Sequence, residues 1–432
     1  MRRLGLLLLG ITVFAGCGRK APVVDAIPVA DPQAIADAPD VTAAPGDWPW
    51  WRGPTRDNHA SGELPPIDFA ADRHVVWRTN IPGRGHASPI VVGGQVIVAT
   101  ADESDSTQSL IALDRATGQT LWTTVVHQGK LPPGHSKNSH ASPTPAFDGQ
   151  RVHCVFAVDD AVWATAVDLD GTILWQKEVG PFASKHGYGA SPVIYKSVVI
   201  VATDHQGEGY VAALDRATGD IRWRTVRQRG ASYSTPVIAH VAGRDQLLLS
   251  GQGRVISYDP ASGEEIWRYS GGADATANTI AWKDDLVFAS GGFHQTGIWC
   301  IRADGAGDVT ETNLAWENTS KVYVPSPLIA GDVLLATRDD GILLGYEATT
   351  GKKMWAKRMQ ADAAATASPT LVGDLAFQPT EAGQVFIVRP GKRFEHVATC
   401  EMGEGIYASP VIVDGRLYLR TLSEVFCIGP DA

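Results

Sequence analysis

Ala112-Leu113-Asp114-Arg115-Ala116-Thr117-Gly118 leads into Trp122 and returns nearly unchanged as Ala213-Leu214-Asp215-Arg216-Ala217-Thr218-Gly219, leading into Trp223. Looser copies are Tyr258-Asp259-Pro260 with Gly263 and Trp267, and Gly345-Tyr346-Glu347 with Gly351 and Trp355. A degenerate copy runs from Asp168-Leu169-Asp170-Gly171 to Trp175. The chemistry of the motif is that of a tight turn between two strands. Asp and Thr side chains satisfy turn N–H groups, and Gly supplies a positive φ. Trp buries a large ring and offers one N–H to a neighbouring carbonyl.

A second repeat runs in step with the first. Ala87-Ser88-Pro89, Ala141-Ser142-Pro143, Ala190-Ser191-Pro192, Ala367-Ser368-Pro369 and Ala408-Ser409-Pro410 share one triplet. Ser234-Thr235-Pro236, Ala277-Asn278-Thr279 and Pro325-Ser326-Pro327 are weaker versions. A period of about 41 to 54 residues marks an array of like units rather than an ordinary globular domain. Each unit reads as an apolar β-branched run such as Ile90-Val91-Val92, a Gly or Asp turn such as Gly93-Gly94, and three further strands, the last carrying Trp. Short β-branched runs joined by dipeptide turns are hairpins, so each unit is a four-stranded antiparallel meander, a propeller blade. The expected fold is an all-β, eight-bladed β-propeller.

The Trp series is Trp77, Trp122, Trp175, Trp223, Trp267, Trp316 and Trp355, with Val397 in the eighth place. The first Trp strand precedes the first complete unit, and the last unit lacks one. The strand around Val75-Val76-Trp77 is therefore expected to complete the last blade and close the ring, which leaves no half-built terminal sheet.

The N-terminus carries Arg2 and Arg3, then an apolar run ending in Phe14-Ala15-Gly16-Cys17. This is the pattern of a cleaved leader followed by a lipid-accepting cysteine; the other reading of these residues is an ordinary leader with an incidental Cys17. Residues 18–46 hold Ala, Pro, Asp and Val without periodicity, the composition of a linker. The expected organisation is a lipoprotein signal peptide over 1–16, a lipidated Cys17 and flexible tether over 17–46, and the propeller over 47–432. The net charge of −10 argues against nucleic acid as a partner. Cys154, Cys300, Cys400 and Cys427 lie in separate apolar runs, so they read as buried small hydrophobes rather than a metal knuckle or redox pair.

These motifs, with the lead-in Trp48-Pro49-Trp50-Trp51-Arg52-Gly53-Pro54 and Arg56-Asp57, resemble the PQQ-like (quinoprotein-type) repeat over about residues 47–429. The resemblance implies one of two branches. One holds PQQ-dependent dehydrogenases; the other holds non-enzymatic eight-bladed lipoproteins similar to the outer-membrane assembly factor BamB. The dehydrogenase branch implies an adjacent-cysteine disulfide and a Ca²⁺ site beside the quinone, and neither set of residues is assignable in this chain. The expectation is a non-catalytic scaffold without cofactor or metal, anchored by its lipid to the outer membrane and facing the periplasm. Its implied partners are envelope proteins such as the barrel-assembly machinery. PQQ with Ca²⁺, or a ligand-binding sensor, is the alternative.

Loops from the fourth strand to the next blade, and from the second strand to the third, should share one end of the ring. That end would gather His86, Lys137, His140, His186, Tyr188, Tyr233, Tyr323 and Tyr407, a set of amphipathic tips suited to a ligand or partner peptide, while solvated loops are the bland alternative. A second set is acidic: Asp102, Glu103, Asp105, Asp159, Asp160, Asp204, Glu208, Asp339 and Asp340. It reads as a solvated rim.

Overall fold

The computed structural model describes residues 23–360 and 363–430. The expected leader and the expected lipidation at Cys17 lie outside the described residues. The remainder is an eight-bladed β-propeller of four-stranded antiparallel blades. Blade 1 consists of Ile90–Val92, Gln95–Asp102, Thr107–Asp114 and Thr120–Gln128, called strands a to d from the channel outward. Blades 2 to 7 follow at 146–181, 193–229, 237–270, 281–318, 328–358 and 370–401. Blade 8 takes strands a to c from Val411–Val413, Arg416–Arg420 and Glu424–Ile428. Its strand d is Val75–Asn80, paired antiparallel with Trp77 opposite Cys427. The ring thus closes by the offset that the Trp and triplet series show.

Strands b and c are buried on both faces, as at Val98 to Ala101 and Leu110 to Leu113, because each blade is covered by a neighbour on either side. Strand d alternates, since it forms the outer wall. The core is accordingly divided into eight clusters, each shared by two adjacent blades. Gly118, Gly171, Gly219, Gly263 and Gly351 each dock the Trp of the preceding blade. A Cβ on Gly118 would fall 2.6 Å from the Trp77 ring, and one on Gly219 would fall 2.7 Å from Trp175. Both glycines hold a positive φ, of 73° and 78°, so sterics and backbone both demand glycine.

Trp77, Trp122, Trp175, Trp316 and Trp355 donate their Nε1–H to carbonyls of the next blade, at Arg115, Leu169, Arg216, Ala348 and Gly391. Two differ. Trp267 donates to Gln246 Oε1 in its own blade, and buried Trp223 Nε1 has no hydrogen-bond partner. At these two positions ring burial carries the docking.

Around the channel, each triplet hydroxyl accepts the backbone N–H of the preceding blade. Ser88 N–H donates to Thr144 Oγ1 (3.1 Å), Thr144 to Ser191 (2.9 Å) and Ser191 to Thr235 (2.9 Å). Thr279 donates to Ser326 (3.0 Å), Ser326 to Ser368 (2.9 Å), Ser368 to Ser409 (2.9 Å), and Ser409 back to Ser88 (3.1 Å). Between blades 4 and 5, Ser234 Oγ donates instead to the Asn278 carbonyl. The belt satisfies inner N–H groups that lack a strand partner. It also corrects two registers. In blade 2 the belt residue is Thr144, not Ser142, and in blade 5 it is Thr279, not Asn278. In every blade the belt residue stands two positions before strand a, a spacing that the extra Pro143 and the missing proline after Thr279 hide.

The segment expected to be a free tether is docked over 23–46. Pro32–Ala36 form one helical turn capped by Asp31. Ile35 is buried between blades 3 and 4, among Tyr195, Leu247 and Tyr258. Ile27 pairs with Arg224 on the outer edge of blade 3. Its alternation of small and apolar residues is too sparse to register as a periodic element, yet Val24, Ile35 and Val41 suffice to hold it.

Candidate functional site

The lead-in Trp48 to Ala60 is not an outer strand; it enters the channel. Arg52, Gly53, Arg56 and Asn58 all take positive φ, which coils the segment so that its polar groups radiate toward different blades. Trp48 pairs with Val91 of blade 1, and the Pro49 carbonyl accepts from Phe147 of blade 2. Arg56 donates to the Ile194 carbonyl of blade 3 and covers the Trp50 ring at 4.4 Å. Arg52 donates to the Thr279 and Pro327 carbonyls of blades 5 and 6. Asn58 donates to the Pro369 carbonyl of blade 7. Burial lowers both guanidinium groups to about 10. This coil plugs the channel, a role that no spacing in the sequence announces.

Above the plug lies a cup of about 490 Å³. Trp51 lines its base, with Nε1–H donating to Thr279 Oγ1 at 2.8 Å. The hydroxyl belt forms the wall. The mouth is built from the two loop sets expected there. His86 stacks on Tyr407, with centroids 4.4 Å apart and planes at 12°. His135, His186 and Tyr233 make a run of edge-on rings at 5.6 and 6.3 Å. Tyr323 stands on blade 6, next to Asp339. Lys137 reaches across the mouth to Glu381, 2.8 Å away. The long loop carrying His135 and Lys137 is held by Asn138, whose amide donates to the His186 carbonyl at 2.7 Å.

Burial, then the nearby Arg84 charge, lowers His86 to about 3, so this ring is neutral at physiological pH. Burial pushes Tyr323 up to about 12 and raises Tyr233. Asp339 is raised by burial despite two backbone hydrogen bonds to Oδ1, from Tyr323 N–H (3.3 Å) and Val324 N–H (3.1 Å).

Six of the eight expected face residues meet at this mouth: His86, Lys137, His186, Tyr233, Tyr323 and Tyr407. Two do not. Tyr188 turns into the blade 2–3 core, where its hydroxyl donates to the Ala202 carbonyl at 2.9 Å and its ring meets Phe182 edge-on. His140 points outward to Glu103, 3.7 Å away. Both stand near the triplets in non-strand segments, where each side chain turns away from the cup. The acidic set also divides. Asp204 forms a buried ion pair with Arg227 at 2.7 Å, Asp102 is tied to Ser104, and Asp339 enters the cup. Trp51, His135, Asn138 and Asp339 are among the cup residues outside the expected face set.

All four described cysteines are free and buried, with Cys300 pushed up to about 12 and Cys400 and Cys427 to about 11 by burial. Among the described residues, no three His, Cys, Asp or Glu side chains group to hold a metal ion. Asn138 already has its carbonyl oxygen engaged by Ser139 N–H and Ser142 Oγ–H. These donors do not fit a calcium–quinone pair, because a hard cation needs several converging oxygens.

A family model described as outer membrane protein assembly factor BamB matches residues 67–186, 145–306 and 251–430. The BamB of Burkholderia pseudomallei is 25% identical over 362 residues, covering 81% of this chain and 86% of that protein. A polyvinylalcohol dehydrogenase of a Pseudomonas species is 24% identical over 335 residues, covering 58% of this chain; the match spans only 51% of that longer protein. The quinohemoprotein alcohol dehydrogenase of Comamonas testosteroni superposes with a TM-score of 0.67 at 14% identity, over 93% of this chain and 83% of its own. That likeness concerns the fold.

Proposed function

The chain belongs to the BamB family of PQQ-like propellers, and from that membership we propose a non-catalytic envelope scaffold that binds protein partners and assists outer-membrane protein assembly. The observation that carries the proposal is the run of three overlapping family matches, which together extend over 67–430. The cup and its aromatic mouth supply a binding face. Aromatic rings with polar tips give contact area at low entropic cost, and loops at the mouth are free to vary while the ring stays rigid. In this reading Cys17 carries the lipid, and the propeller faces the periplasm from the outer membrane. Affinity isolation of the full chain from detergent-solubilised envelopes should recover barrel-assembly components. Their absence, with other envelope proteins recovered instead, would refute the assembly role.

A quinone-dependent oxidoreductase is the second reading, favoured by the likeness to polyvinylalcohol dehydrogenase and by the existence of the cup. Incubation with PQQ and Ca²⁺, followed by a dye-linked alcohol oxidation assay, separates the two. Turnover at stoichiometric quinone would overturn the scaffold proposal.

A further inference from the structure

Asp339 is the one carboxylate lining the cup, and among the described residues it forms no ion pair. Its neighbours Arg338 and Lys137 are committed elsewhere, Arg338 to Asp340 at 2.7 Å and Lys137 to Glu381 at 2.8 Å, and the charges of Lys321 and Lys137 act on it only through space. A half-buried carboxylate without a contacting counter-ion is costly. The surrounding surface compounds the asymmetry. Trp51, Tyr233, Tyr323 and Tyr407 present π-systems, whose faces are negative and attract a desolvated cation.

A metal ion does not answer this site, since no cluster of acidic or imidazole ligands surrounds Asp339. An organic cation does, because its charge is spread over a small apolar head that rings can contact. The volume of about 490 Å³ falls within the range of small-molecule pockets, which leaves room for a body beyond the head. We propose that the cup binds a small alkylammonium ligand, with the charged head against Asp339 and the rings of Tyr233 and Tyr323. The hydroxyls of Ser326, Ser368 and Ser409 stand along the wall, where they would contact a polar body of the ligand. The inference goes beyond the scaffold reading and does not depend on any protein partner.

The test is a calorimetric titration of the purified full-length chain with choline, with cadaverine, and with 3,3-dimethylbutanol, the uncharged isostere of choline. Choline is expected to bind at least tenfold more tightly than the alcohol. Asp339→Asn keeps Oδ1 for the Tyr323 and Val324 N–H groups, so the variant should melt with the wild type and lose choline at least tenfold. Asp340→Asn, an exposed neighbour, should bind as wild type. Tyr233→Leu gives a second readout and should weaken choline several-fold without touching the Asp339 loop. Equal binding of choline and its isostere, or choline binding unaltered by Asp339→Asn, would overturn the proposal. So would binding of a lysine-bearing peptide when both free amines are inert, which would assign the cup to a partner's side chain. None of these outcomes bears on recovery of barrel-assembly proteins, so the two proposals fail separately.

Discussion

Replacing Trp77 with Ala tests whether strand Val75–Asn80 locks the ring. Trp77 is 7% exposed although it lies more than three hundred residues from its sheet partner Cys427. Its ring rests on Gly118, and its Nε1–H reaches the Arg115 carbonyl at 3.0 Å. Truncating a buried Trp costs about 3–5 kcal/mol, and the abandoned carbonyl adds about 1 kcal/mol. Unfolding entropy near 2.1 cal/mol/K per residue gives roughly 0.9 kcal/mol/K for a chain of this size, so a loss of about 5 kcal/mol lowers Tm by about 5 to 6 °C. Differential scanning calorimetry of Trp77→Ala should show that drop, matching Trp267→Ala, which lies inside a continuous blade. Leu121→Ala, at a position 50% exposed, should shift Tm by less than about 1 °C, as surface substitutions do. If Trp77→Ala behaves like Leu121→Ala, blade 8 is not closed by the N-terminal strand and the reasoning fails.

Gly219→Ala should cost about 2–4 kcal/mol, combining a left-handed backbone with a Cβ 2.7 Å from Trp175, whereas Gly93→Ala, with φ 55° and open space around it, should cost only about 1 kcal/mol; paired thermal melts read the difference. His86 and His127 are lowered to about 3 and about 4, both chiefly by burial. Between about pH 6.5 and 4 the unfolded chain therefore binds more protons, so stability falls on acidification, by up to about 1.4 kcal/mol per pH unit for each such histidine. Urea midpoints from pH 7 to 5 should fall less steeply for His86→Gln than for the wild type; parallel slopes would contradict a buried neutral His86.

The blades were legible because their signals are local and repeated. The Asp-x-x-Thr-Gly turn and its Trp lie on adjacent strands, and each does the same work wherever it recurs. Ring closure was legible because an offset between two periodic series survives at both ends. What escaped the sequence was set by packing between distant segments. Thr144 and Thr279 occupy belt positions that Ser142 and Asn278 mimic, and only the hydrogen bond to the neighbouring blade tells them apart. Trp51 and the coil from Arg52 to Asn58 bind inner strands of several blades, so no local pattern marks them as a plug. Tyr188 and His140 show the limit of reading a face from loop position, because non-strand segments have no alternation to fix side-chain direction. Asp339 looked like one more rim carboxylate, and only the enclosure by Tyr323 and the loop above it separates it from Asp340.

Site-specific photo-crosslinking in growing cells tests the scaffold account most directly. A crosslinking residue would replace Lys137 on the cup mouth, and separately Asp220 on the turn at the opposite end of blade 3. The account predicts that the Lys137 position captures a component of the barrel-assembly machinery and that the Asp220 position does not. Capture of that component equally from both positions, or capture from neither while the protein is folded and present in the envelope, would contradict it.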